Sequence, residues 1–319
     1  MGNSAIGLVR NQTDGDTNSF HDFREFEEAI LQDPEVEPIE RSYLVRQFSS
    51  LVFRIQRRLG RRFGLKPPYH LRYGAKQSAR LAILSGPSFR RCTDYILRGR
   101  KAAYLYDPTH PWVTPEQVVT FVEDVGLEIL FVPHPTFRDR LQAVLPACKV
   151  CFIPEAANPE DYSCDAEKTI DILAFGRSLI PYHNALDAGL SSSITYKHGR
   201  IEEREDLKKA MAAARIILNF PRSITAKTTD VEMLTMRYFQ TIASKALILG
   251  HCPALMRELF GYDPVVEADL ENPFEQVEQI LANFNDYQDL IERNYETFIN
   301  GHTFQHRWQQ MKQILLESQ

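Results

Sequence analysis

Cysteine is scarce: Cys92, Cys148, Cys151, Cys164 and Cys252 are an odd and thinly spread set. That argues against a disulfide framework and for a reducing compartment. Cys148 and Cys151 form one C-x-x-C in "ACKVCFIP", but the alternation there reads as a strand, and no second pair lies nearby to complete a zinc site. No apolar run approaches the roughly 18 residues of a spanning helix. The opening "MGNSAIGLVRNQTDGD" lacks the charged-then-apolar order of a signal peptide, and Ile6 stands where myristoylation needs Ser or Thr. A cytoplasmic protein is expected. Neither G-x-G-x-x-G nor G-x-x-x-x-G-K-[ST] occurs, so a dinucleotide fingerprint and a P-loop are both absent.

Acidic residues are also missing from one long stretch. Between Arg41 and Lys101 there are 16 Lys/Arg against a single acid, Asp94, a balance of +15. The net charge is −5, so the remainder carries −20. Such asymmetry points to an anionic partner for the N-terminal half. Within it, "RSYLVRQFSSLVFRIQRRLGRRF" predicts a helix over 41–63. At about 100° per residue, Leu44, Phe48, Leu51, Val52, Ile55, Leu59 and Phe63 share one face, with Arg46, Arg54, Arg57 and Arg61 opposite. Two readings stand: a helix covering a core with a solvated Arg face, or a surface helix meeting anionic lipid or a phosphate-bearing acceptor. Nucleic acid is disfavoured, because no stacking aromatics are interleaved.

At 319 residues the chain is about two domains long. "SAIGLVRN" reads as a first strand, "HDFREFEEAI" as a helix and "LQDPEVEPIE" as an acidic connector. Strands and helices then alternate from "RLAILSG" to "KVCFIP". After the polar linker "EAANPEDYSCDAEK" the rhythm restarts at "TIDILAFG" and ends in several helices. Continuous apolar strands alternating with helices predict parallel sheets wrapped in helices, an α/β fold. Domains are expected at 1–157 and 158–319, with ligand sites at the carboxyl ends of strands.

Loops after strands, followed by helix N-termini, suit phosphate. Two such loops in the second half carry cations: "FGRSLIPYH" with Arg177, and "FPRSITAKTTD" with Arg222 and Lys227. Downstream, "TTDVEMLTMRYFQTIASKALILG" holds Glu232 and Gln240 in an otherwise apolar stretch. Thr229 and Glu232 have capping-box spacing, which predicts a helix N-terminus at Thr229. Gln240 would lie about 12 Å further along that helix and about 80° around it, so both residues could face one elongated ligand.

The segments "ARIILNFPRSITAKTTDVEMLTMRYFQTIASKALILG", "LMRELFG", "PVVEADLENPFEQVEQIL" and "NGHTFQHRW" resemble, in order, the C-terminal half of retaining, family-4-like GT-B glycosyltransferases. The likeness is to the "glycosyltransferases group 1" class and its spore-maturation-like branch, over roughly residues 168–310. "FIPEAANPEDY" resembles the same family's interdomain segment. The resemblance implies two Rossmann-like domains with a cleft between them and a C-terminal helix packing back toward the first. It also implies metal-independent sugar transfer, with no cofactor beyond the nucleotide-diphosphate sugar, to a glycan or lipid-linked acceptor.

By resemblance Glu232 addresses the donor sugar, and Gln240 takes the place of the family's second Glu at the ribose hydroxyls. Arg177 matches the cation on the donor diphosphate. Lys227 substitutes for a Lys the family places elsewhere, and Thr228 and Arg237 complete the donor-binding set. Lys245 stands where the family has Gly.

His110 in "YLYDPTH" follows a strand and could orient the donor sugar or acceptor; His134 in "FVPHP" is the rival. Asp14 and Asp16 form a D-x-D. With Asn18, Asp22 and Glu25 they also hit calcium-loop positions, but Ser19 replaces the required Gly. His302 and His306 have i, i+4 spacing but fall in the family-like tail, so no metal is expected. Two other functions fit the same scaffold: a catalytically silent nucleotide- or partner-binding module, and a nucleotide-sugar epimerase or hydrolase.

Overall fold

A computed structural model describes residues 6–10, 21–39, 43–68, 79–84, 100–106, 108, 113–162, 166–176, 179–226 and 229–317. The chain divides into two compact units, the second running Glu155–His306 and the first taking up again at Arg307. Among the described residues, no helix is long and apolar enough to cross a membrane.

The first unit is built on a six-stranded parallel sheet. Its strands are β1 (Ile6–Val9), β2 (Val36–Ile39), β3 (Ala79–Leu84), β4 (Arg100–Leu105), β5 (Ile129–Val132) and β6 (Lys149–Phe152), in the order β2-β1-β3-β4-β5-β6. Runs such as "ARLAIL" and "ILFV" are almost wholly buried, as expected of strands covered on both faces. β2 lies where the sequence reads as a connector. It is an edge strand with Pro38 opposite Leu8, and at an edge the missing N–H of proline costs no ladder bond. Around the sheet pack α1 (His21–Leu31), α3 (Pro115–Val125) and α4 (Pro135–Val144). α3 has a full capping box between Thr114 and Gln117. The thiol of Cys148, just before β6, is pushed up to about 12 by burial, and Cys151 is raised for the same reason. Neither is a ready nucleophile or metal ligand.

Helix α2 (Tyr43–Arg62) is amphipathic as expected but packs by a different side. Its broad apolar stripe does not cover the core: Leu44, Phe48 and Phe63 are 77%, 64% and 70% exposed, and Leu51, Ile55 and Leu59 are about half exposed. The side that packs inward carries Phe53, buried in a cluster with Leu84, Leu105, Val118, Val122 and Val132. Two of the arginines assigned to an outer face, Arg57 and Arg61, instead pair with the buried carboxylate of Asp124 on α3. Two ion pairs to a desolvated carboxylate, together with Phe53, fix the helix by its narrow side. The stripe therefore stays in water, forgoing about 1.5–3 kcal/mol for each large side chain that burial would stabilise. Arg54 is exposed, and the side chain of Arg46 is outside the described residues.

Helix α12 (Phe304–Glu317) joins the first unit from Arg307 onward. The fully buried Trp308 donates its indole N–H to Asp33 at 2.8 Å, and Lys312 approaches the same oxygen at 2.7 Å. Burial raises the Asp33 carboxyl, but hydrogen bonds from Lys312, the Glu35 backbone and Trp308 outweigh it, leaving it below the usual carboxylate range. A lowered carboxylate contributes stability above its unfolded value, lost as the pH falls through the folded one. We therefore expect Asp33→Asn to destabilise by about 2 kcal/mol at neutral pH. That difference should shrink in unfolding curves as the pH is taken down through and below the ordinary carboxylate range. A difference that stayed constant throughout that acid range would refute the assignment.

The second unit carries a five-stranded parallel sheet in the order β11-β10-β9-β7-β8. The strands are β7 (Ile170–Phe175), β8 (Tyr196–Gly199), β9 (Ala214–Asn219), β10 (Leu247–Gly250) and β11 (Val266–Glu267). Helices α5 (Ile180–Gly189), α6 (Arg204–Ala212), α7 (Arg222–Thr225), α8 (Met236–Ala243), α9 (Ala254–Phe260), α10 (Pro273–Ala282) and α11 (Gln288–Gly301) connect and cover them. After β7 the chain steps to β8 on one side, then crosses to β9 on the other. The loops after β7 and β9 therefore diverge, which opens a crevice at the carboxyl ends of those strands.

Candidate functional site

Three strand ends lie in register beside that crevice. Asn219 pairs with Gly250, and Gly250 with Glu267. A Cβ at position 250 would run into the Asn219 carbonyl, so only glycine permits this approach of β9 and β10. The next residue, His251, then sits between two carboxylates. Its Nε2 meets Glu232 Oε1 at 2.9 Å and its Nδ1 meets Glu267 Oε1 at 2.7 Å. Ionised carboxylates only accept, so both contacts are hydrogen bonds when the imidazole carries both protons. Glu232 also accepts from the Ala254 N–H at 3.4 Å, at the start of α9, and its side chain remains 38% exposed. Below this row, Tyr238 donates to the His251 carbonyl at 2.7 Å, and burial holds its phenol neutral, well above the ordinary value.

α8 sets the other half of the site, and it begins later than the sequence suggests. Thr229 does not cap it. The Thr229 hydroxyl accepts from Val231 N–H in a local turn, and the helix starts at Met236. The N-terminus is held instead by Glu155, a carboxylate only 4% exposed that accepts from Met236 N–H at 2.6 Å. A protein carboxylate thus meets the positive end of this helix.

One residue on, the Arg237 guanidinium lies over the Phe175 ring, 4.9 Å from its centre, at the end of β7. Gly176 makes room for it: the backbone there has φ +73°, and a Cβ would stand 2.5 Å from Arg237 Nη2. Further along, Gln240 is only 6% exposed, and its side-chain amide makes no hydrogen bond among the described residues. α8 ends on Lys245 in the left-handed region at φ 48°, where glycine would be unstrained. The Lys245 ammonium reaches Glu292 at 2.7 Å and lies over the Tyr295 ring.

Of the residues singled out from the sequence, Glu232, Arg237 and Gln240 are placed on or just before α8. His110, Arg177, Lys227 and Thr228 lie outside the described residues, as do Asp14 and Asp16. Arg222 begins the short helix α7. His134 caps α4, its Nδ1 accepting from Thr136 N–H at 3.1 Å. His302 stacks on Phe260, and His306 bonds the Thr303 hydroxyl, so this pair serves packing. Glu25 is buried in α1. Among the described residues no group of His, Cys, Asp and Glu could hold a metal ion. His251, Glu267 and Glu155 escaped the sequence reading. A His directly after the strand "LILG" was the available signal for the first, whereas nothing local marks Glu155 as the partner of a helix 81 residues away.

Two parallel sheets with flanking helices, and a site at the strand ends of the second, are the features of the GT-B glycosyltransferase fold. Solved structures agree. Sucrose-phosphate synthase from Thermosynechococcus elongatus matches with TM-score 0.60 at 10% identity over 98% of each chain. HepE of Anabaena, solved in complex with UDP and glucose, matches with TM-score 0.60 at 9% identity, over 98% of this chain and 99% of that one.

S. aureus TarM, in a variant solved with Fondaparinux, alpha-GlcNAc-glycerol and UDP, matches with TM-score 0.51 at 8% identity. That match covers 74% of this chain and only 55% of TarM, so this chain spans about half of that longer protein. No curated protein matches by sequence. Residues 165–313, which take in most of the second unit, match the family model described as glycosyl transferase-like.

The roles of the two carboxylates are testable by thermal and urea unfolding. Glu155→Ala removes a buried charged acceptor and should destabilise by about 2–3 kcal/mol. Glu232→Ala removes a part-exposed ion pair and should cost under about 1 kcal/mol. The reverse ranking would show that Glu232, not Glu155, holds the helix.

Proposed function

We propose that this chain transfers a sugar from a nucleoside-diphosphate sugar to a glycan or lipid-linked acceptor, with retention at the anomeric carbon and without a metal. The observation that carries the reading is Gln240, whose side-chain amide makes no hydrogen bond among the described residues and is not shut off from solvent, on the helix that also bears Arg237 and follows Glu232. The spacing from Glu232 to Gln240 suits the sugar and ribose ends of one donor. The family model matched by residues 165–313, and the UDP bound in HepE, support a nucleotide as the ligand.

In this scheme the bond from the anomeric carbon to the diphosphate oxygen breaks as an acceptor oxygen bonds the same carbon and passes its proton to the departing diphosphate oxygen. Negative charge builds on the leaving diphosphate. Arg237, at the end of β7, and Arg177 and Lys227, in the loops after β7 and β9, would stabilise that charge. Electrostatic stabilisation of a leaving group by fixed cations is the strongest aid a protein can give such a step. Glu232, oriented by His251, addresses the sugar hydroxyls, and His110 orients sugar or acceptor. The alternative of a silent nucleotide-binding module rests on Gln240 itself, since an amide binds hydroxyls without the charge assistance of a carboxylate.

Isothermal titration against UDP-, GDP-, ADP- and CMP-sugars, with and without EDTA, tests the reading. One donor class should bind, unaffected by EDTA. No binding refutes the donor site, an EDTA-sensitive signal refutes metal independence, and tight binding without turnover on any acceptor favours the silent module.

Gln240→Leu gives a sharper check. It removes the unpaired amide, so the free protein should melt no lower than wild type, while nucleotide affinity falls by about tenfold. Gly176→Ala should weaken binding too, because the new Cβ displaces the Arg237 guanidinium. Unchanged affinity in both variants would remove Gln240 and Arg237 from the site.

A further inference from the structure

Helix α2 presents its apolar stripe to water while a different side holds it to the first unit. Leu44, Phe48, Leu51, Ile55, Leu59 and Phe63 recur at three- and four-residue intervals over a 20-residue helix and its end, and all are exposed. At about 100° per residue, Arg58 and Arg62 fall along this stripe and Arg54 at its margin. None of the three makes an ion pair among the described residues, and α2 contains no Asp or Glu. Arg57 and Arg61, the arginines that do pair, are taken up by Asp124 on the inward side. The outward surface is therefore a strip of large apolar side chains accompanied by guanidinium groups that no carboxylate among the described residues neutralises.

We infer that this face docks on the surface of an anionic lipid bilayer. The charge pattern selects the occupant. A second copy of the chain seated stripe to stripe would bring two sets of arginines together with no carboxylate between them. A bilayer supplies acyl chains for the stripe and phosphate groups for the guanidiniums, which long Arg side chains reach while their stems stay on the apolar surface. The inward face, with Phe53 and the Asp124 pairs, needs no rearrangement for this contact. The inference is independent of the donor-site reading and would survive its failure.

Flotation of the full chain with vesicles decides it. With equimolar phosphatidylglycerol and phosphatidylcholine at low salt the protein should float. It should stay behind with phosphatidylcholine alone, and release as salt shortens the screening length toward about 3 Å near 1 M. Phe48→Ser with Ile55→Ser should abolish flotation without lowering the melting temperature, since both side chains are already in water. Arg58→Gln with Arg62→Gln should weaken binding about thirtyfold, at about fivefold per arginine near an anionic surface. Failure of the wild type to float on anionic vesicles would overturn the inference, and so would equal flotation of the Phe48/Ile55 variant. Sedimentation showing a dimer that this variant breaks, with no flotation, would give the face to a second copy instead.

Discussion

The carboxylate of Glu155 is the constraint on which the second unit's site depends. The first backbone N–H groups of a helix need acceptors, and a helix beginning in a buried place has no water to supply them. Glu155 supplies one at 2.6 Å to Met236, and so fixes where α8 starts and how it is turned. Everything else on α8 follows from that start. Arg237 lands over Phe175 and against Gly176, Tyr238 reaches the carbonyl of His251, Thr241 accepts from the Asn219 amide, and the Gln240 side chain makes no hydrogen bond among the described residues. A helix begun at Thr229, as the local pattern suggested, would place each of these elsewhere.

Strand ends supply the second half of the arrangement. Asn219, Gly250 and Glu267 share one row, and glycine at 250 lets β9 and β10 close without a collision at the Asn219 carbonyl. His251 then bridges Glu232 and Glu267. A lone carboxylate on an irregular segment would sample many positions. Pinned by an imidazole and the first N–H of α9, Glu232 keeps one orientation while a good part of it stays open to a ligand. Preorganisation of this kind is what a site needs to hold a hydroxyl-rich substrate.

Most of the architecture was legible because parallel α/β units announce themselves: apolar runs such as "RIILNF" and "KALILG" read only as strands buried on both faces. β2 was not legible, since Pro38 marks a break everywhere except at a sheet edge. The start of α8 was misread because a capping box is a local pattern, and here a distant carboxylate outcompetes it. The α2 helix was read correctly as amphipathic, yet the choice of inward face was not in its own sequence. That choice belongs to Asp124, 63 residues from Arg61, whose buried charge needs cations more than the core needs the stripe. Glu267 was invisible for a similar reason, and His251, though marked by its place directly after "LILG", gains its meaning only where three strand ends meet.

Gln240 is where these constraints meet. At 6% exposure, a carboxylate there would be costly to keep ionised in the free protein. An amide costs less for the same burial and still offers an acceptor to a hydroxyl. Glu232 sits in a different environment, part exposed and beside the imidazole of His251. The residue types therefore follow their surroundings: the carboxylate is part exposed beside His251, and the amide stands on a mostly buried side chain. Under the proposed function, Gln240 in place of the Glu of similar enzymes would give up charge-assisted strength toward the ribose hydroxyls while keeping an acceptor there.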